Sequence, residues 1–373
     1  MTAHLLCVLG AVGLCVMLLA SAWAQSALPK SVRVPYAPGE ENLSPSSTYR
    51  EPGKPWVLRL AIATPHDIDT MEGSKTYKLW YQVSTDSGKT YDKIRPLIQK
   101  GKEYNQLHPI RPVFLPKNSF VTSSGALIPV SNGEIMVPIE FWRLDEKGEL
   151  YNPKGFYTFC DSAVLIGTWA ADGSDVEWDL GEAVALGLDQ STSGGYEPAI
   201  IELEKPGRFL MALRASNIGD EAMPSYKWKC VSEDYCRTWS EPTPFAYADG
   251  ERFFSPASCS EFRRHSKTGK VYWFGNITPE NAKANHPRYP LVVAEFDEGT
   301  LGLVKSTLQV IDTRDPQRGD TEKVEFSNFS ISEDPQTGAF HVSLSRRDAG
   351  ALKPGETFTS RKWPVMRYEV KVE

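Results

Sequence analysis

The chain has 373 residues, enough for one large domain or for two or three small ones. Apolar residues make up 41% and charged residues 24%, ordinary values for a protein that buries a real core. The net charge is −6 and no Lys/Arg block stands out, which argues against a nucleic-acid partner. An anionic polysaccharide would have to be held by a few placed arginines rather than by a basic surface.

Residues 5–24 read LLCVLGAVGLCVMLLASAWA and carry no charge, and Ala22-Trp23-Ala24 precedes Gln25. This pattern predicts a signal peptide over 1–24, hence a secreted or periplasmic protein with no membrane association after cleavage. An uncleaved anchor is the competing reading, because the run is nearly long enough to span a bilayer. Residues 25–48 are rich in Ser and Pro and read as an irregular lead-in, with room for one strand at 31–35.

From residue 49 to 373 the pattern is that of one all-β domain. Runs such as WVLRLAIA (56–63), KLWYQVS (78–84), EIMVPIEFW (134–142), SAVLIGTW (162–169), KVYWFGN (270–276) and AFHVSLS (339–345) are dominated by β-branched and aromatic residues. Turn residues bound each of them. No long stretch carries a helical period. The strands come in packets that begin near residues 50, 108, 195, 253 and 324, a spacing that fits the blades of a propeller. A β-sandwich would also be all-β, but it would not repeat one turn.

A turn does repeat. Ser84-Thr85-Asp86-Ser87-Gly88-Lys89-Thr90-Tyr91 returns as Ser232-Glu233-Asp234-Tyr235-Cys236-Arg237-Thr238-Trp239, and a degenerate copy runs Asp172-Gly173-Ser174-Asp175-Val176-Glu177-Trp178. Its Asp can accept backbone N–H groups in a tight turn, and its Gly permits a positive φ. Such a motif staples a blade and is not itself a site. On these residues the chain resembles the Asp-box (BNR) repeat proteins of the sialidase superfamily, over roughly residues 49–345. The resemblance implies a six-bladed sialidase-like β-propeller. Only five packets are delimited, so five blades is the alternative. A sixth blade would have to combine the lead-in strand with Trp363 to Val372.

The resemblance also implies a site. In that family three arginines hold a substrate carboxylate, a geometry that the guanidinium fork suits. A Glu activates a Tyr nucleophile, and an Asp serves as general acid/base. Gly195-Tyr196-Glu197-Pro198 followed by Phe209 to Arg214 matches a Glu that opens one strand and an Arg that ends the next. Glu197 is therefore the expected catalytic carboxylate and Arg214 an expected carboxylate ligand; an ordinary ion pair is the competing reading. Asn285-His286-Pro287-Arg288-Tyr289 supplies Arg288 and Tyr289 as substrate-binding residues. Tyr49-Arg50-Glu51-Pro52 resembles the entry to the family's first blade and makes Arg50 the third arginine, with Asp67, or else Asp69, as the acid.

One position departs from the family. Where its Tyr nucleophile falls, this chain has Val324-Glu325-Phe326-Ser327-Asn328-Phe329, and Phe has no hydroxyl. Tyr272 and Tyr289 are the nearest tyrosines in matched segments, and Ser327-Asn328 could bind substrate. His66, His108 and His286 each lie next to or near a Pro in a loop and could supply a base. Cys160, Cys230, Cys236 and Cys259, which remain after signal removal, leave bridges and buried thiols equally open. No metal and no cofactor is expected. Three functions follow: a sialidase-like hydrolase acting as a monomer on an acidic terminal sugar of a glycan, a uronate polysaccharide lyase on the same propeller, or a glycan-binding propeller without catalysis.

Overall fold

The computed structural model describes residues 41–65, 77–122, 127–358 and 361–372. The apolar run 5–24, the expected strand at 31–35 and the residues His66, Asp67 and Asp69 lie outside the described residues. The chain is all-β, with three single-turn 3-10 segments as its only helix among the described residues.

Five antiparallel sheets follow one another along the chain as blades. The first holds Glu41–Arg50, Val57–Pro65, Lys78–Ser84 and Arg95–Pro96. The second holds Phe120–Val121, Ile135–Trp142, Cys160–Trp169 and Val176–Leu180, with Ile128–Pro129 added beside Ile135–Trp142. The third is Tyr196–Glu202, Phe209–Arg214, Trp228–Ser232 and Thr243–Pro244. The fourth is Glu261–Arg264, Val271–Asn276 and Leu291–Asp297, whose outer edge takes Gly302–Leu303 and Gln309–Asp312. The fifth is Ser330–Glu333, Phe340–Ser345 and Val365–Val370.

The strand Val365–Val370 pairs with Phe340–Ser345 and completes the fifth blade, so it does not seed a sixth. The propeller has five blades among the described residues, the alternative rather than the six that the resemblance favoured. The first strand also begins at Glu41, inside the stretch expected to be an irregular lead-in.

The strands read as nearly unbroken apolar runs because a blade is covered on both faces. Side chains alternate along a strand. Ile135, Val137, Ile139 and Phe141 pack toward the first blade with Leu58, Leu60 and Tyr81. Met136, one step out of phase, packs toward the third with Phe209 and Met211. Ala199, Ile201 and Ala212 meet Phe262 and Trp273 of the fourth blade. Phe274 and Val293 meet Phe340 and Val342 of the fifth. Each junction is a slab of interlocked apolar side chains, and its burial is the main driving force for docking neighbouring blades.

The repeated turns follow the third strand of the first three blades. Asp86 accepts from Thr90 N at 2.9 Å, Thr90 Oγ1 at 2.6 Å and Ser84 Oγ at 2.7 Å. Asp234 repeats this with Thr238 N at 2.9 Å, Thr238 Oγ1 at 2.6 Å and Ser232 Oγ at 2.8 Å. Cys236 stands where the first copy has Gly88, yet the turn is conserved in geometry. Cys236 adopts φ 63° against 84° for Gly88, and its N–H reaches Ser232 Oγ at 2.9 Å as Gly88 N reaches Ser84 Oγ at 2.8 Å. The left-handed conformation costs a non-glycine residue about 1–2 kcal/mol. Cys236 offsets part of this by burying its thiol with Cys230 and Phe209.

Asp86→Ala leaves the Thr90 N–H and two hydroxyls without their acceptor. The variant is expected to melt at a lower temperature while each folded molecule keeps full ligand binding, which scanning calorimetry and titration together would check. The hydroxyl of Thr90, then its N–H, hold the Asp86 carboxyl below the usual carboxylate range. Its contribution is therefore present above the ordinary Asp pKa and fades as pH falls, so wild type and variant should converge in acid.

Candidate active site

The strand Cys160–Trp169, ten residues long, separates two ends of the propeller. At its start Cys160 N donates to Ser193 O at 3.1 Å and Cys160 O accepts from Gly195 N at 3.0 Å. This seats the head of Tyr196–Glu202 alongside. At its other end Trp169 Nε1 donates to Glu51 Oε2 at 2.9 Å. The two ends lie roughly 30 Å apart at 3.3 Å per residue.

Arg50 belongs to the second end. It pairs with Val57 at the hairpin of the first blade, and its Nη1 donates to Ser87 O at 2.8 Å in the repeated turn. The expectation that Arg50 joins Glu197 is therefore corrected. The strand from Glu41 to Arg50 runs away from the Cys160 end, and Arg50 braces the turn instead.

Glu197 and Arg214 do meet. Tyr196 pairs with Arg214 across the third blade, and the register slips by a bulge between Tyr196 and Ala199. Glu197 takes φ 47° in this bulge, a conformation that non-glycine residues seldom hold without support. Its Oε1 accepts from Arg214 Nη1 at 2.5 Å, and Arg214 Nη2 donates to Asn285 Oδ1 at 3.1 Å. The guanidinium carbon lies 4.6 Å from the centre of the Tyr196 ring. The Glu197 backbone N–H donates to the carboxylate of Glu140, which stands on the second blade. Glu197 Oε2 and Arg214 Nε are buried without a hydrogen-bond partner among the described residues. The strand that Glu197 opens packs against Glu261–Arg264, the first strand of the next blade, which places it on the axial side.

Arg288 lies at the same end, in the segment that leads from Asn276 to Leu291. Its Nη2 donates to Ala257 O at 3.0 Å and its Nη1 to Glu325 Oε2 at 3.4 Å. Its Nε has no partner among the described residues. Lys227 lies close enough to both arginines to feel their charges. Burial, the main cause, pushes its ammonium down to about 8, and Cys259, Arg214, Glu197 and Arg288 all act on it. Its Nζ donates to Ser258 O at 2.5 Å. Burial would weaken the charge of Arg214, but Glu197 and Tyr196 outweigh it and keep the guanidinium protonated. Glu140 is the opposite case: burial, then the charge of Glu197, push its carboxyl up to about 7.

Most of the other expected side chains are committed to packing or to local hydrogen bonds. Phe326 is fully buried in the junction of the fourth and fifth blades, and Tyr289 packs against that junction half-buried. Tyr272 lies beside His265 and Phe340, near the far end of its strand. Among the described residues no Tyr hydroxyl donates to Glu197, whose Oε1 is taken by Arg214 and whose Oε2 has no partner. Ser327 is buried, its Oγ 3.5 Å from Cys259 Sγ, which also accepts from Asn328 N at 3.2 Å. His108 is used locally, with Nδ1 2.7 Å from Val113 O and its ring stacked on Phe114. His286 is at the site. Burial, then Lys323 and Arg288, push it down to about 4, its Nε2 lies 3.9 Å from Glu325 Oε1, and its Nδ1 has no partner among the described residues.

Sequence reasoning missed Glu140, Lys227, Asn285 and Glu325. Glu140 carried a signal, since it is a lone acid inside the apolar run IMVPIEFW. A buried acid in such a run needs a partner. Among the described residues no group of His, Cys, Asp and Glu could hold a metal ion. Cys160, Cys230, Cys236 and Cys259 are all free, and burial raises each thiol pKa. All four should therefore resist a thiol reagent such as DTNB at pH 8 in the native protein and react together in guanidinium. Fast labelling of Cys236 before unfolding would contradict its buried turn.

No family model and no curated protein sequence matches this chain. Solved structures do. A protein of unknown function from Dyadobacter fermentans DSM 18053 superposes with a TM-score of 0.53 at 14% identity, over 89% of this chain and 79% of that one. The Hadza microbial sialidase Hz136 gives 0.51 at 12% identity, over 82% of this chain and 50% of that one. NanB with Optactamide gives 0.50 at 12% identity, over 79% and 36%. The chain thus spans half or less of the length of these two. At such identities the likeness shows the fold alone, and the fold is a sialidase-like β-propeller.

Proposed function

We propose that this chain is a glycoside hydrolase that acts on an acidic terminal sugar of a glycan, with Arg214 and Arg288 as ligands of the sugar carboxylate. The observation that carries the reading is the Glu197–Arg214–Asn285 constellation at the axial end of the third blade, with Glu197 Oε2 and Arg214 Nε left without partners among the described residues. A buried cation with spare donor capacity suits a carboxylate. A carboxylate with one free oxygen suits work at an anomeric carbon.

The chemistry rests on carboxylates, because no Tyr hydroxyl among the described residues donates to Glu197. Glu197 acts from one side of the glycosidic bond, as nucleophile or as base to a water. Asp67, outside the described residues, is our choice for the acid that protonates the leaving oxygen. Retention requires the two carboxyls about 5 Å apart and inversion about 6.5–9.5 Å. The repeated turns act as Asp-box staples at the opposite end. The apolar segment 5–24 with its Ala22-Trp23-Ala24 site supports export, and the protein would work as a monomer outside the cytoplasm.

A second reading has its own support. His286 is held neutral beside Arg288 and next to Asn285, the partner of Arg214. A neutral imidazole there could take the proton α to a uronate carboxylate whose charge the arginines bind. The C–H electrons would form the C4=C5 double bond as the C4–O bond breaks, and the His286 imidazolium would pass the proton it took on to the leaving oxygen. Incubation with labelled sialosides and with uronate polysaccharides tests both readings. Free acidic sugar without ultraviolet absorbance supports hydrolysis. A product absorbing near 230 nm supports elimination. No turnover on any acidic glycan would overturn both in favour of a binding propeller.

A further inference from the structure

Glu140 is the buried acid that neither reading uses. It stands at 8% exposure in the strand Ile135–Trp142, opposite Ser162, and no salt bridge reaches it among the described residues. Its carboxylate instead receives the backbone N–H of Glu197, the residue in the left-handed bulge. The titratable groups around it come from three strands. Cys160 faces it from Cys160–Trp169, with a thiol that burial keeps protonated. Asp161, next in that strand, is tied to Arg143 Nε at 3.1 and 3.0 Å. Tyr196 and Glu197 come from the head of the third blade, with the Tyr196 phenol kept neutral mainly by burial. Arg214 comes from the strand beside it.

With Glu140 neutral, Glu197 and Arg214 cancel, Arg288 is balanced by Glu325, and protonated Lys227 leaves the site with one positive charge. Ionised Glu140 adds a negative charge that makes no ion pair among the described residues and offsets that positive charge, in a region of low dielectric where charges act strongly on one another. We infer that Glu140 sets how tightly this site takes an anionic sugar: neutral Glu140 admits a carboxylate to Arg214, and ionised Glu140 repels it while still holding the Glu197 N–H. The inference rests on the acidic-sugar reading above. The carboxyl is pushed up to about 7, so the change falls near neutral pH. Lys227, at about 8, keeps most of its charge through this range.

The test is calorimetric titration of the full chain with N-acetylneuraminic acid and with glucuronic acid, at pH 5.5 and 7.5. Both probes are ionised throughout. Wild-type Kd should rise by up to about fourfold across this range, the linkage limit for a group of pKa near 7. Glu140→Gln removes the charge and keeps an acceptor for the Glu197 N–H, so its Kd should change less than about 1.5-fold by the same linkage. An equal pH dependence in the variant, or tighter wild-type binding at pH 7.5, overturns the inference and leaves the acidic-sugar reading standing. Binding of neither probe by either protein overturns both.

A stability measurement guards the result. Folded Glu140 keeps its proton up to about 7, whereas an unfolded Glu releases it near 4.3. This group's contribution is full below that lower value and lost as pH rises through 7. The melting temperature of Glu140→Gln relative to wild type should therefore climb between pH 5 and 8, and no climb counts against the inference. Should Glu140→Gln not fold, Glu140→Met removes the same charge and must show the same flat Kd.

Discussion

Glu197→Gln should lower kcat on an acidic glycoside by about 10²–10⁴-fold, the usual worth of a positioned acid or base. Binding of the acidic sugar should not weaken. The amide oxygen still accepts from Arg214 Nη1, which in the native protein reaches Glu197 Oε1 at 2.5 Å. What is lost is the negative charge and the free Oε2 oxygen. With that charge gone, Arg214 is more available to an anion, so Kd should hold or fall. Tyr289→Phe is the companion variant. Its ring packs against the junction of the fourth and fifth blades, so activity should be unchanged. A fully active Glu197→Gln enzyme, or a dead but folded Tyr289→Phe enzyme, would return the chemistry to a tyrosine.

Arg214→Met should cost about 3–5 kcal/mol of folding stability, as breaking a buried ion pair from one side does. The Arg214 and Glu197 side chains are only 11% and 18% exposed, so Glu197 would be left with little water and no counter-ion. Asn285 Oδ1 loses its donor as well. Anionic ligands should no longer bind. Arg214→Lys keeps the charge but not the fork that reaches Glu197 and Asn285 together, so it should recover stability in part and binding poorly. The double variant Arg214→Met with Glu197→Gln should be less destabilised than the sum of the single ones, because it leaves no orphaned charge. Urea titration of the four proteins closes this cycle. A stability for Arg214→Met within about 0.5 kcal/mol of wild type, the range of a neutral surface change, would show that the pair is not buried as a unit.

What could be read before folding was whatever depends on near neighbours in the chain. The all-β class came from strand runs and turn residues. The repeated turn came from Ser, Asp and Thr at fixed spacing, and the structure closes it with hydrogen bonds spanning two to four residues. Glu197 and Arg214 were legible for the same reason: they lie 17 residues apart on one hairpin, and a hairpin register carries the first residue of one strand to the last of the next. Arg50 was misplaced because a motif of four residues says nothing about which end of its blade it occupies. Only the pairing of Arg50 with Val57 decides that.

The rest depended on distance along the chain. Glu140 reaches Glu197 across 57 residues and two blades, and Asn285 reaches Arg214 across 71. No local pattern encodes such meetings, since each half is stable in its own sheet and only the docking of apolar blade faces brings them together. Blade number was likewise a tertiary outcome. The strand Val365–Val370 has the alternation of any strand, and it joined the fifth blade because Phe340–Ser345 offered an unpaired edge. The sequence by itself determined the strands, the turns and the hairpin that carries Glu197 and Arg214. The fold decided which acid lies beneath Glu197, because an apolar run tolerates a buried Glu140 only where another blade supplies a donor for it.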